Sequence, residues 1–166
     1  MSSQNPQVQL QQLLSHCQSL QLASLTADGK PTISYAPFIQ DSQGNFYIFI
    51  SQLASHTQDL LQQSKAAVML IADEHDTRQI FARTRVSYDC EAFAIQRDAP
   101  EYSALLDAMQ ARFGEVVGVL RGLGDFVLFK LKPTSGRFVL GFGQAFILTG
   151  DNLQTLHPID APKRPA

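Results

Sequence analysis

The chain is short of charge. Of its 166 residues, 13 are basic and 15 acidic, which is 17% of the total, where a soluble domain carries about 25%. The formal net charge of −2 leaves no broad basic field, which excludes nucleic acid as a partner. Cysteine is scarce too. Cys17 and Cys90 are the only two, too few for a disulfide framework or a zinc pattern. No apolar run approaches the roughly 18 residues that span a membrane. The opening MSSQNPQVQLQQ lacks the basic and apolar regions of a secretory leader, so a cytoplasmic protein is expected. The GxSxG, HExxH and CxxC signatures are missing, as is any repeat of about 20–50 residues.

What is present is a normal hydrophobic share of 45%, with 18 glutamines in place of the missing charge. That composition belongs to a folded chain, not a disordered one. The length predicts a single domain over 1–166, with an N-terminal helix in 1–19 and a peripheral tail over 151–166. The tail has three prolines in its last nine residues, so the stretch from His157 is ill suited to a sheet or a helix.

Hydrophobic spacing predicts a helix over about 7–18, then strands over 20–25, 32–39, 46–50, 66–72 and 80–97. Two more strands, 126–131 and 138–148, are expected around a turn at Pro133–Gly136. The run Phe46–Ile50 is wholly apolar, as a strand buried on both faces would be. Ser55 and Gln58 have capping-box spacing, which predicts a helix starting at Ser55. Ala99-Pro100 opens another helix to about Phe113, with a weaker one over 115–123. About seven strands joined by short turns suggest a mainly β fold, an antiparallel barrel with inserted helices.

Four groups could carry chemistry. The junction from Ser51 to Thr57 runs from a strand into a helix N-terminus, where free amides attract a phosphate or carboxylate and Ser51, Ser55, His56 and Thr57 could add donors; an ordinary capped helix is the plainer reading. Arg78, Arg83 and Arg85 are three of eight arginines. In a strand, Arg83 and Arg85 share a face and suit a phosphate or propionate, or they pair with Asp73, Glu74 and Asp76. That acidic loop, with His75, has no metal-site spacing and reads as solvated. Gly141-Phe142-Gly143-Gln144 lacks the last glycine of a dinucleotide fingerprint. It suggests a bulge, a barrel bend or a close approach by a ligand. Asp125 heads a strand after Gly122-Leu123-Gly124, where a turn former or cap is usual.

Taken in order, Ser34–Phe38, Ser51–His56, Gln79–Arg85, Arg112-Phe113-Gly114, Asp125-Phe126 and Gly136–Ala145 resemble the FMN-binding split-barrel superfamily typified by pyridoxamine 5′-phosphate oxidase. Within it the chain looks most similar to the haem-utilisation HugZ/HutZ family. The resemblance covers roughly residues 20–150 and implies a split-barrel homodimer with a planar cofactor, haem or FMN, between the subunits. It maps Ser51, His56, Arg83 and Arg85 onto the family's cofactor site, and with Ser55, Thr57, Gly141, Phe142, Gly143 and Gln144 from the residue reading these are the expected cofactor-binding residues. Asp125 and Arg85 become the catalytic candidates. The implied activity is haem binding with haem degradation; the alternatives are an FMN-dependent oxidoreductase or flavin reductase, and a non-enzymatic carrier. The family's iron ligand is a tail histidine. Here Lys163 or Arg164 falls at that position, and neither, when protonated, has a lone pair for iron. His157 is the candidate that remains.

Overall fold

The computed structural model describes residues 5–160. Helix α1 (Pro6–His16) starts where Asn5 accepts the Gln7 amide at 2.9 Å, with Pro6 in the first turn, where a missing N–H costs nothing. Leu10, Leu13 and Leu14 are its buried face. Nine strands follow among the described residues: β1 (Ser19–Leu25), β2 (Pro31–Pro37), β3 (Ile39–Gln40), β4 (Phe46–Ser51), β5 (Lys65–Ile71), β6 (Arg85–Ile95), β7 (Phe126–Gly141), β8 (Gln144–Thr149) and β9 (Thr155–Pro158). Helix α2 (Ser55–Gln62) joins β4 to β5, and α3 (Tyr102–Phe113) and α4 (Glu115–Gly122) lie between β6 and β7.

Every pairing is antiparallel, in the order β2-β1-β5-β6-β7-β4-β3, with β8 added to β7 and β9 to β8. Phe38, just past β2, meets Phe46 of β4 edge-on with ring centroids 5.4 Å apart, which brings the two ends of the sheet together. The barrel predicted from the hairpin spacing is therefore present. Its interior holds Leu20, Leu22, Ile48, Leu70, Phe129 and Phe138, all fully buried. β4 is buried on both faces, as its unbroken apolar run predicts. Phe46, Ile48 and Ile50 point inward, while Tyr47 and Phe49 pack with Leu106 and Met109 of α3 and Val117 of α4.

Several boundaries differ from the sequence expectation. The predicted strand over 80–97 begins only at Arg85, because Ile80–Ala82 is a 3-10 turn held by the Gln79 side chain and carbonyl. Arg83 therefore stands outside β6 and does not share a strand face with Arg85. No turn occurs at Pro133–Gly136; β7 runs through it. A register shift at Asp89/Cys90 relieves Pro133 of donating to the ladder, and the Thr134 and Ser135 hydroxyls bond to Asp89. The reversal comes instead at Phe142-Gly143, with Gly143 at φ +68°, a conformation glycine adopts without strain. The tail also joins the sheet: Thr155–Pro158 pairs with β8, placing His157 opposite Ile147. Among the described residues, no helix is long and apolar enough to cross a membrane.

Candidate functional site

The predicted residues fall into two groups. The first surrounds the end of β4. Ser51 pairs with Phe126 at the start of β7, so the residue before it, Asp125, is brought alongside. The Ser51 hydroxyl donates to Asp125 Oδ2 at 2.8 Å, and the Gln52 amide donates to the Asp125 carbonyl at 2.8 Å. The capping box is not formed. Ala54 is the N-cap of α2 and supplies no side-chain bond. Thr57 turns its hydroxyl back to the Ser51 carbonyl, and Gln58 reaches the Gln52 carbonyl at 3.0 Å. The Leu53 amide donates to Ser51 Oγ at 3.1 Å, and the Ala54 amide to the Ser51 carbonyl at 3.1 Å. So two of the four side-chain donors offered to an anion, Ser51 and Thr57, are engaged inside the junction. Ser55 is exposed and His56 half-buried. Burial lowers the His56 pKa from its ordinary 6.5, against a smaller upward pull from Asp59, which leaves the imidazole uncharged near neutral pH.

The second group surrounds the start of β6 and the β7–β8 hairpin. Arg83 Nε donates to the Ala72 carbonyl at 2.6 Å and NH1 meets Glu74 at 2.9 Å, so its fork ties down the acidic loop. Arg85, half-buried, gives one bond to the Arg83 carbonyl at 3.0 Å. Gly141, Phe142, Gly143 and Gln144 form the adjacent hairpin. The acidic loop itself is an exposed turn, with Asp73 accepting from the His75 amide and the Thr77 hydroxyl. Among the described residues, no three His, Cys, Asp or Glu side chains gather to hold a metal ion.

One chain keeps these groups apart. Arg85 pairs with Val139 at one end of the β6–β7 ladder, and Ile95 pairs with Leu128 at the other, beside Asp125 and Ser51. About ten residue steps of β6 lie between them, on the order of 33 Å of extended strand.

Between the two ends, the barrel turns an uneven face outward. Cross-strand partners share a face, so one outward row runs Tyr35, Gln21, Met69, Ser87, Arg137, Ile147 and His157. In it and the next row, Tyr35 is 65% exposed and Ile33 80% exposed, while Gln21 Oε1 is buried without a hydrogen-bond partner among the described residues. The His157 side chain is exposed there and makes no hydrogen bond among the described residues. The positions that matched the family's tail ligand, Lys163 and Arg164, lie outside the described residues.

Residue patterns gave no warning of some features. Asp59 is buried on α2, where it accepts from Ser24 and Thr32 at 2.8 Å each; helical spacing beside Leu60 was the available signal. Arg112 lies over the Phe38 ring, 5.1 Å from its centroid, and donates to the Cys17 carbonyl at 2.7 Å.

The family described as pyridoxamine 5′-phosphate oxidase matches residues 7–140. The chain belongs to that family. Among its relatives in the wider comparison, heme oxygenase HutZ of Vibrio cholerae is 42% identical over 135 residues, which covers 81% of this chain and 76% of HutZ. The chloroplastic non-canonical heme oxygenase HOZ of Arabidopsis thaliana is 28% identical over 135 residues, 81% of this chain and 40% of HOZ. A crystal structure of HutZ, there called a heme storage protein, superposes with a TM-score of 0.72 at 36% identity, covering 76% of this chain and 88% of that one. Campylobacter jejuni ChuZ gives a TM-score of 0.83 at 26% identity, with 100% and 68% covered. The pyridoxamine 5′-phosphate oxidase split barrel, mainly antiparallel, is thus the fold of this chain.

Proposed function

We propose that this protein binds haem between two copies of itself and degrades it, each site combining the Arg85 end of one copy with the Ser51–Asp125 end of the other. The separation of these two groups along one ladder carries the reading. A homodimer reunites them, and the outward row offers a surface for it, with exposed Ile33 and Tyr35 and a buried, unpartnered Gln21 oxygen.

The residues fit haem. Arg85 has a largely free guanidinium for a propionate. The exposed Phe142 ring offers an apolar face, and the unengaged His157 a lone pair for iron. Bound haem would supply the iron chemistry for oxygen activation; this chain's part is to hold the ring, its propionates and a proton-accepting Asp125 beside it. FMN is the weaker alternative. Its phosphate would sit at the β4–α2 junction, where Ser51 and Thr57 are already engaged and the Asp125 carboxylate stands alongside. The names of HutZ divide between oxygenase and storage protein, so a carrier is the second reading. We read 1–166 as one domain acting in the cytoplasm.

Spectroscopic titration with haemin and, separately, FMN tests the reading. A saturable, shifted Soret band at micromolar protein is expected, with little quenching of flavin fluorescence. Absence of a Soret shift would sink it. Adding a reductant under air should then bleach the Soret band and yield ring-opened product; an intact haem spectrum would leave the carrier.

A further inference from the structure

We infer that Arg78, together with Phe81 and Phe142, clamps the carboxylate-bearing edge of a planar tetrapyrrole. This rests on the haem reading and adds Arg78 and Phe81 to its site. Beside the β7–β8 hairpin is a cleft of about 290 Å³ bounded by Ala72, Arg78, Thr84, Leu140, Gly141 and Phe142. Clefts that enclose a drug-sized ligand hold about 300–1,000 Å³, so this one seats the edge of a larger molecule.

The rim joins two features. The first is apolar. Phe142 lines the cleft and is 69% exposed, while Phe81, 84% exposed, stands next to it on the 3-10 turn between the lining residues Gln79 and Ala82. Two exposed rings beside a cleft are a surface for a flat apolar body. The second is charge. Of the three clustered arginines, Arg83 is committed to Glu74 and the Ala72 carbonyl, and Arg85 has its one bond to the Arg83 carbonyl. Arg78 makes no hydrogen bond or ion pair among the described residues, and Asp76 on the same rim does not reach it. A free guanidinium fork donates two parallel N–H bonds to a carboxylate. Arg78 and the rings together match a flat ligand with acid groups on one edge.

Haemin and haemin dimethyl ester separate these contributions, because the ester keeps ring and iron but has no free carboxylate. Both are titrated against the unaltered protein, Arg78→Ala, Arg78→Lys and Phe142→Ala. Arg78→Ala is expected to weaken haemin about ten-fold and the ester less than about two-fold, as the loss of one charged pair requires. Arg78→Lys should recover part of the loss. Phe142→Ala should weaken both ligands alike. Equal effects of Arg78→Ala on haemin and ester, no effect on either, or a lower melting temperature of the ligand-free variant would overturn the assignment. If the unaltered protein binds neither ligand, the haem reading fails and this inference with it. If it binds both and Arg78→Ala changes nothing, the inference alone fails.

Discussion

The hydroxyl of Ser51 donates to the carboxylate of Asp125 at 2.8 Å, across 74 residues of sequence. The bond ties the end of β4 to the loop that opens β7 and fixes where Asp125 is held. Its oxygen also accepts the Leu53 amide at 3.1 Å. Ser51→Ala removes both contacts and is expected to cost about 1 kcal/mol. Urea unfolding reads this directly; an unmoved midpoint means that the contact does not persist in solution.

The proposed two-copy site makes a sharper prediction. Arg85→Ala and Asp125→Ala should each weaken haemin as homodimers. Mixed dimers of the two variants hold one doubly altered site and one intact site. Co-expression with two affinity tags should therefore restore tight binding to about half of the sites in the doubly purified species. Failure to restore any tight site would place Arg85 and Asp125 in the same chain's site.

Asp41 sets a pH limit on stability. Burial alone would raise its pKa, but bonds from the Asn45 side chain and amide, the Tyr47 hydroxyl and the Gln43 amide prevail and lower it below 3.8. A carboxyl whose pKa is lower when folded stabilises fully above its unfolded value. That stability is lost as pH falls from about 3.8 through the folded value. Asp41→Asn should flatten the stability–pH curve below about pH 4 and destabilise at pH 7 by about 1–3 kcal/mol. An unchanged curve would remove Asp41 as its origin.

Gly136 is buried in mid-strand, where a Cβ would stand 2.9 Å from both Leu148 Cδ1 and Tyr88 Cδ1. Both neighbours are themselves buried. Gly136→Ala should cost about 1–3 kcal/mol through overpacking, seen as a lower melting temperature. A gain in stability, as expected for alanine at an open strand position, would show that the two side chains do move.

His56 should titrate below pH 6.5, because burial disfavours its charged form. The folded state then binds fewer protons than the unfolded state as pH falls below 6.5, and this group's contribution to stability is lost over that range. Imidazole NMR shifts give the midpoint; a value above 6.5 would mean that Asp59 outweighs burial.

Period-2 patterns and turn residues made the barrel legible. The unbroken apolar run of β4 announced its two-sided burial. Pro133 misled because proline ordinarily ends a strand, and the bulge that accommodates it, with Thr134 left unpaired between Pro133 and Ser135, exists only in the pairing with Asp89 and Cys90. Ser55 misled because the capping pattern is local, whereas its partner Gln58 is claimed by the Gln52 carbonyl six residues earlier. The two residue groups were legible as residue types, but their positions at opposite ends of one ladder follow from strand order, which no short motif records. Arg83 illustrates the same limit: its partner Glu74 was among the carboxylates considered, yet its exclusion from β6 depends on a single 3-10 turn.

The length of the β6–β7 ladder has a consequence for stoichiometry and dosage. If neither end of a lone chain suffices, ligand uptake is coupled to self-association, and apparent affinity rises with protein concentration. Dilution then empties the pocket by dissolving it. The amount of protein present would then set the number of assembled binding places and, through it, the apparent affinity.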